Sequence, residues 1–113
     1  SGFKAWIELD QYGDIRFSGQ SDLFHGCRLN TGTHHHYNYE KKLIQTITYT
    51  PTLPEGAEAC HEIHISEQSI QYYPNGQISQ KSSYQYSYMG ERRKSGLWQW
   101  FDESGELVKE EQQ

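Results

Sequence analysis

The chain has 113 residues, a length typical of one domain, so residues 1–113 are treated as a single domain. Hydrophobic residues make up 34%, and nine Tyr, three Trp and four Phe account for much of that share, which favours half-buried β-strands over a helical bundle. Fifteen acidic against ten basic residues give a net charge of -5. That charge disfavours nucleic-acid binding, which needs a basic surface, and instead suits a basic protein partner. No apolar run is long enough for a transmembrane segment.

The chain starts with Ser1-Gly2 rather than Met, and no signal-peptide pattern is present. An export signal already removed would place the protein in the bacterial periplasm or cell envelope. Trimming during cloning is the other explanation, and the cytoplasm is then expected. The two cysteines, Cys27 and Cys60, either form a disulfide that closes a loop of about 34 residues or remain as two reduced thiols. The spacing leaves both alternatives open.

The first two-thirds of the chain read as short strands separated by loops. Residues 3–19 alternate with period two around Gly13, with an apolar row that includes Ile7 and Leu9, and predict a hairpin. One short strand is expected within residues 23–29. Residues 34–50 predict a strand pair or one long strand, which Pro51 should end because proline cannot continue a central ladder. A further strand is predicted over residues 59–66.

The last third contains two matching hairpin patterns, each an aromatic strand, a polar turn with Gly and a second strand. The turn glycines Gly76 and Gly105 lie 29 residues apart. A third copy near the N-terminus overlays the last without a gap, at a constant offset of 92: it aligns Trp6 with Trp98, Asp10 with Asp102, Gly13 with Gly105, and Ile15 with Leu107. These patterns predict an inexact β-hairpin repeat in which Gly13, Gly76 and Gly105 adopt positive φ. Three hairpins are expected. Five repeats, counted from those glycines with Gly32 and Gly56, are the alternative.

At these positions the chain resembles the MORN-repeat variant family, which includes antitoxin-like proteins found beside bacterial toxins. The matching motifs are Tyr72-Tyr73-Pro74-Asn75-Gly76-Gln77-Ile78, Gly96-Leu97-Trp98-Gln99-Trp100-Phe101 and Gly105-Glu106-Leu107. The resemblance covers residues 70–110 and, less closely, 4–17. Together with the turn pattern it implies an all-β fold, with antiparallel hairpins in one extended twisted sheet or a small two-sheet stack. It also implies a bacterial protein that binds other proteins.

The sequence contains no catalytic motif. Gly-x-Ser-x-Gly, His-Glu-x-x-His and a phosphate-binding loop are all missing, so neither an enzyme nor a cofactor is expected. A composite metal site made from His34, His36, Cys60 and His64 is conceivable across paired strands. We expect no metal, because alternation along a strand separates the neighbouring histidines of each segment.

Candidate partner-binding residues are aromatic or basic. Trp98 and Trp100 share one strand face. Trp98 matches Trp6 in the repeat and is expected in the core, whereas Trp100 matches Glu8 and is the first candidate for partner contact. The other candidates are Tyr72, Tyr84, Tyr86, Arg92 and Arg93, the last two in a predicted exposed spacer. The functional hypothesis is an immunity or antitoxin protein that neutralises a toxin by direct binding. The alternative is a non-catalytic structural or envelope repeat protein that binds a glycan or membrane surface.

Overall fold

The computed structural model describes residues 2–113 and is all-β, with 61% strand and 3% helix, which confirms the predicted fold class. Ten antiparallel strands form one sheet in the order β1-β2-β4-β5-β6-β7-β9-β10, with β3 paired to β2 and β8 paired to β7. The strands are β1 Lys4–Leu9, β2 Ile15–Phe24, β3 Cys27–Asn30, β4 Gly32–Tyr37, β5 Leu43–Thr52, β6 His64–Tyr72, β7 Ile78–Ser87, β8 Arg93–Lys94, β9 Leu97–Phe101 and β10 Leu107–Gln112. The overall dimensions, 47 × 39 × 18 Å, are those of an extended sheet.

Four hairpins share one five-residue turn, spanning residues 10–14, 38–42, 73–77 and 102–106. In each turn the first residue exchanges backbone hydrogen bonds with the fourth and fifth, as Asp10 does with Gly13 (3.0 Å) and Asp14 (2.9 Å). The fourth residue always has positive φ: Gly13 (83°), Lys41 (65°), Gly76 (90°) and Gly105 (93°). The expectation of positive φ at the three glycines is therefore confirmed.

Both predicted repeat counts are wrong, because the described residues contain four equivalent hairpins. The hairpin that the sequence pattern did not predict has its turn at 38–42, where Lys41 occupies the position of glycine in the other three turns. The residue five positions after each turn start is aliphatic in all four copies: Ile15, Leu43, Ile78 and Leu107. Gly32 and Gly56 lie outside these turns, so spacing based on all five glycines gave a false register.

The four turns lie along one edge of the sheet, called here the turn edge. Consecutive strands along the sheet run antiparallel, so hairpins β1/β2, β4/β5, β6/β7 and β9/β10 all turn on the same side. Neighbouring turns touch: Asn75 Nδ2 donates a hydrogen bond to the Glu103 carbonyl (2.9 Å), and Lys41 Nζ lies 3.3 Å from Asp14 Oδ1.

One sheet face carries the repeat residues that are most shielded from solvent. This front face contains Trp6, His34, Ser69 and Trp98, each four residues before a turn; the last three are buried. The Trp6 and His34 rings meet edge to face, 5.6 Å apart. Between them lies Gly19, where a Cβ would approach His34 Nδ1 to 2.6 Å.

The apolar row predicted in the first hairpin is not the buried one. Ile7 and Leu9 are 58% and 55% exposed. They lie on the opposite, back face of β1, because Trp6 instead packs against the front face, with Phe17 and His34 as neighbours. Burying one large indole and its contacts outweighs burying the smaller aliphatic side chains of the same strand.

A small core lies where β3 packs on the start of β6. Cys27 and Leu29 contact Ile63 and Ile65, and all four are buried. A disulfide joins Cys27 to Cys60, with Cα atoms 5.8 Å apart, which decides between the two cysteine alternatives. The bond fixes the β2/β3 hairpin to a 3-10 turn at Cys60–Glu62.

Three strand predictions are wrong in detail. The strand expected within residues 23–29 is instead the tip of a hairpin, with β2 ending at Phe24 and β3 starting at Cys27. Pro51 lies within β5, opposite Ile65 of β6 and beyond Tyr49, the last β5 residue that pairs with β4, so β5 is an edge on the β4 side at this position and tolerates proline. Residues 60–62 form the 3-10 turn, and β6 begins only at His64. The longer segment 34–50 is a strand pair, one of the two predicted forms.

Candidate functional site: an aromatic patch beside an acidic edge

The front face of β7 and β9 carries an aromatic cluster. The Tyr84 and Trp98 ring centroids are 5.3 Å apart, and those of Trp98 and Trp100 are 6.0 Å apart. Trp98 is 5% exposed, and its Nε1 donates hydrogen bonds to the carbonyls of Ser83 (3.1 Å) and Ser95 (3.2 Å). Trp100 is only half-buried. Trp98 therefore holds the cluster in place, while Trp100 presents part of its ring to solvent.

Two lysines lie over the tryptophans. Lys94 Nζ is 4.6 Å from the Trp98 ring centroid, and Lys109 Nζ is 4.8 Å from that of Trp100. These are cation–π distances. Lys109 is opposite Trp100 in the β9/β10 ladder and also pairs with Glu111 at 3.1 Å. The hairpin register thus places a positive charge, balanced by a carboxylate, on the Trp100 ring.

The turn edge beside Trp100 is acidic. Its four turns carry six carboxylates and two lysines, net -4, in a chain whose total charge is -5. The carboxylates are Asp10, Asp14, Glu40, Asp102, Glu103 and Glu106. Hydrogen bonds from Ser104 and the Glu106 backbone lower the pKa of Asp102, which keeps that carboxylate ionised. Nearly all the excess negative charge therefore lies along one edge.

A partly buried ion pair lies next to the aromatic cluster. Glu67 is 3% exposed, and its two carboxylate oxygens accept hydrogen bonds from Arg92 Nη2 (2.9 Å) and Nε (3.0 Å). The Arg92 guanidinium also covers the Tyr84 ring at 3.8 Å. Burial, followed by the Glu67 charge, raises the pKa of Tyr86. Arg92 lies in an exposed segment, as predicted, but its guanidinium is already paired with Glu67.

The structure does not bring the predicted partner-binding residues onto one surface. Trp100, Tyr84, Tyr86 and Arg92 lie on the front face. Tyr72 lies on the back face, with its hydroxyl 3.4 Å from Thr46 Oγ1, and Arg93 lies opposite Gln85 on that same face. Sequence reasoning missed Lys109 and the alignment of the acidic turns along one edge, because both depend on the hairpin register and the strand order.

The conceivable metal site is not assembled. Cys60 is bonded to Cys27, His34 lies on the front face, and His64 lies on the back face beside Gln85. Within residues 2–113 no three His, Cys, Asp or Glu side chains converge as metal ligands.

Comparisons with protein-family models, with curated proteins and with solved structures find no match to this chain. Among residues 2–113, no helix has the length and apolar character needed to cross a membrane.

Proposed function

We propose that this chain is a non-catalytic bacterial protein-binding module of the immunity or antitoxin kind, which neutralises a basic partner by direct binding. The observation that carries the proposal is the position of Trp100: a half-buried indole, supported by buried Trp98, directly beside the acidic turn at 102–106. The resemblance of residues 70–110 to the MORN-repeat variant family supports the same class of function.

The surface has the composition of a binding hot spot. Large aromatic residues dominate the energetics of protein interfaces, and a polar rim around them excludes water. Trp100 supplies the aromatic centre, while Asp102, Glu103 and Glu106 supply a negative rim. A basic partner would meet this rim first, and complementary charge would accelerate its encounter.

The alternative, glycan binding through exposed tryptophans, has weaker support. Sugar stacking needs an open ring face, whereas Lys94 and Lys109 each hold an ammonium group over a tryptophan. The exposed part of Trp100 suits an edge or partial-face contact in a protein interface better than a flat sugar platform.

The direct test is co-expression with the product of the neighbouring gene. A toxin neutralised by binding should co-purify with this chain and lose its toxicity. Absence of a complex and of protection would reject that partner, and binding to envelope glycans instead would favour the alternative function.

A charge-reversal pair tests the proposed surface. Glu103→Lys on the turn edge should slow association with the basic partner, more so at low salt. Glu58→Lys, with the same charge change in the β5–β6 connection, should have little effect. Equal slowing by both variants would indicate a net-charge effect rather than this surface.

A further inference from the structure

A cleft lies away from Trp100, at the other end of β7. It has a volume of about 640 Å³ and is lined by His64, Gln85, Tyr86, Glu91, Arg93 and Lys94, among others. This volume lies in the range of small-molecule sites. The short strand β8 forms one wall, and the start of β6 contributes His64.

Arg93 differs from the other arginines in its surroundings. Of the four arginines, Arg16 donates to the Tyr37 carbonyl, Arg28 to Gly2 and Ser21, and Arg92 to Glu67. Within residues 2–113, Arg93 has no protein acceptor for its guanidinium. A planar guanidinium can donate two parallel hydrogen bonds to one carboxylate. Arg93 can therefore bind an anion at the wall of the cleft.

His64 orients Gln85 so that the Gln85 amide can donate a hydrogen bond into the same cleft. His64 Nε2 lies 3.3 Å from Gln85 Oε1, and because an amide oxygen only accepts, the imidazole N–H is the donor. The Gln85 amide nitrogen is then free to donate to a ligand. Gln85 is directly opposite Arg93 in the β7/β8 ladder, so the two side chains lie on the same face of the sheet.

The remaining lining defines the ligand class. Glu91 is a carboxylate within a cleft whose other ionisable walls include Arg93 and Lys94. A doubly charged phosphate would be repelled by Glu91. A ligand with one carboxylate and several hydroxyls would place its anion on Arg93 and use Glu91 as a hydroxyl acceptor.

We propose that this cleft is a binding site for an acidic sugar, a uronic acid, whose carboxylate pairs with Arg93 and whose hydroxyls bind Gln85 and Glu91. The ligand is either a free monosaccharide or a unit of an acidic polysaccharide. The site does not include Trp100, so the result of its test does not depend on the proposed protein-binding function.

The test is a titration of the whole chain, followed by NMR chemical shifts, at constant ionic strength. Galacturonate should bind saturably, while galactose lacks the carboxylate and acetate lacks the hydroxyls, so each should bind at least about tenfold more weakly. A galacturonate trimer distinguishes the two sources: tighter binding than the monomer assigns a polysaccharide, and equal binding assigns the free sugar.

Variants separate the two halves of the site. Arg93→Gln should weaken galacturonate binding about tenfold. Arg93→Lys keeps the charge but loses the bidentate guanidinium, so its affinity for galacturonate should lie between that of Arg93→Gln and that of the parent chain. Glu91→Gln should weaken galacturonate but not acetate. Lys4→Gln, the same charge change on distant β1, is the control. The proposal is overturned if the parent chain shows no saturable shift, if galactose matches galacturonate, or if Lys4→Gln and Arg93→Gln act equally.

Discussion

Glu67 and Arg92 form a bidentate ion pair on the front face, in which a carboxylate only 3% exposed is neutralised by a half-exposed guanidinium. The geometry places this pair between the disulfide-linked core and the aromatic cluster. Arg92 contacts Tyr84, and the charge of Glu67 acts on Tyr49 and Tyr86. The pair therefore connects the two regions that hold the sheet together.

Removing Arg92 should be costly because it leaves a buried, unpaired carboxylate. We expect Arg92→Met to lower the free energy of unfolding by about 2 kcal/mol, below the usual cost for a fully buried pair because water can reach the vacated site. Urea denaturation measures the loss. Arg93→Met, the same change one residue along, should cost under about 0.5 kcal/mol. Similar losses in both variants would contradict a structural role for the ion pair.

The disulfide should contribute substantially to stability. Cys27 and Cys60 are 33 residues apart, a loop length for which chain entropy predicts about 3 kcal/mol. The urea midpoint should fall on addition of a reductant. A Cys27→Ser, Cys60→Ser double variant should begin at the lower midpoint and show no response to reductant. A parent protein with an unchanged midpoint after verified reduction would be inconsistent with this contribution.

At the fourth position of the turns, replacing glycine should destabilise the fold, and introducing glycine should stabilise it. Gly76→Val and Gly105→Val should each cost more than about 1 kcal/mol, because β-branched residues tolerate positive φ poorly. No atom lies within 4 Å of a Cβ at Gly76, so the loss there would report backbone strain alone. Lys41→Gly should instead stabilise the chain, by up to about 1 kcal/mol, despite loss of the exposed contact with Asp14. A destabilised Lys41→Gly variant would argue against turn equivalence.

Stability should fall at mildly acidic pH because of His34. Its Nε2 donates to the carbonyls of Gln20 (3.0 Å) and Thr31 (3.2 Å), and burial lowers its pKa below 6.5. The unfolded chain then binds the proton more readily, so stability is full above pH 6.5 and declines as pH falls from there towards the lowered folded-state pKa. His36 acts in the same direction.

The corresponding measurement is the urea midpoint at about pH 7.5 and about pH 5.5, on either side of the histidine range. His34→Gln keeps a donor for the carbonyls but does not titrate, so its midpoint should change less between the two conditions. His61→Gln, at an exposed position, should behave like the parent. Equal pH dependence in the parent and His34→Gln would exclude His34 as the source.

The sequence predicted those parts of the fold whose physical cause is local. Gly13, Gly76 and Gly105 mark turns because glycine alone adopts positive φ without cost. The equivalent turn at 38–42 was missed because Lys41 accepts that strained conformation, where the Asn38 side chain accepts hydrogen bonds from the Glu40 and Lys42 amides. The strand position of Pro51 depends on where β4 begins, at Gly32, which no local pattern reveals.

The candidate site was only partly predictable for the same reason. Comparison of Trp100 with Glu8 distinguished a variable repeat position from the shared Trp6 and Trp98 position. The commitment of Arg92 to Glu67 depends on β6 and β7 being neighbours, and the acidic edge depends on all four turns lying on one side. These are long-range relationships, fixed by strand order rather than by sequence spacing.

The affinity of Trp100→Ala for the co-purified protein partner, compared with that of the parent chain, shows whether Trp100 anchors the binding surface. We expect a loss of about 2 kcal/mol, close to thirtyfold in Kd, and a smaller loss of folding stability than Trp98→Ala shows. Faster dissociation should account for most of the change. Unchanged partner affinity in a folded Trp100→Ala variant would contradict the claim that this indole and the acidic edge beside it form the binding surface.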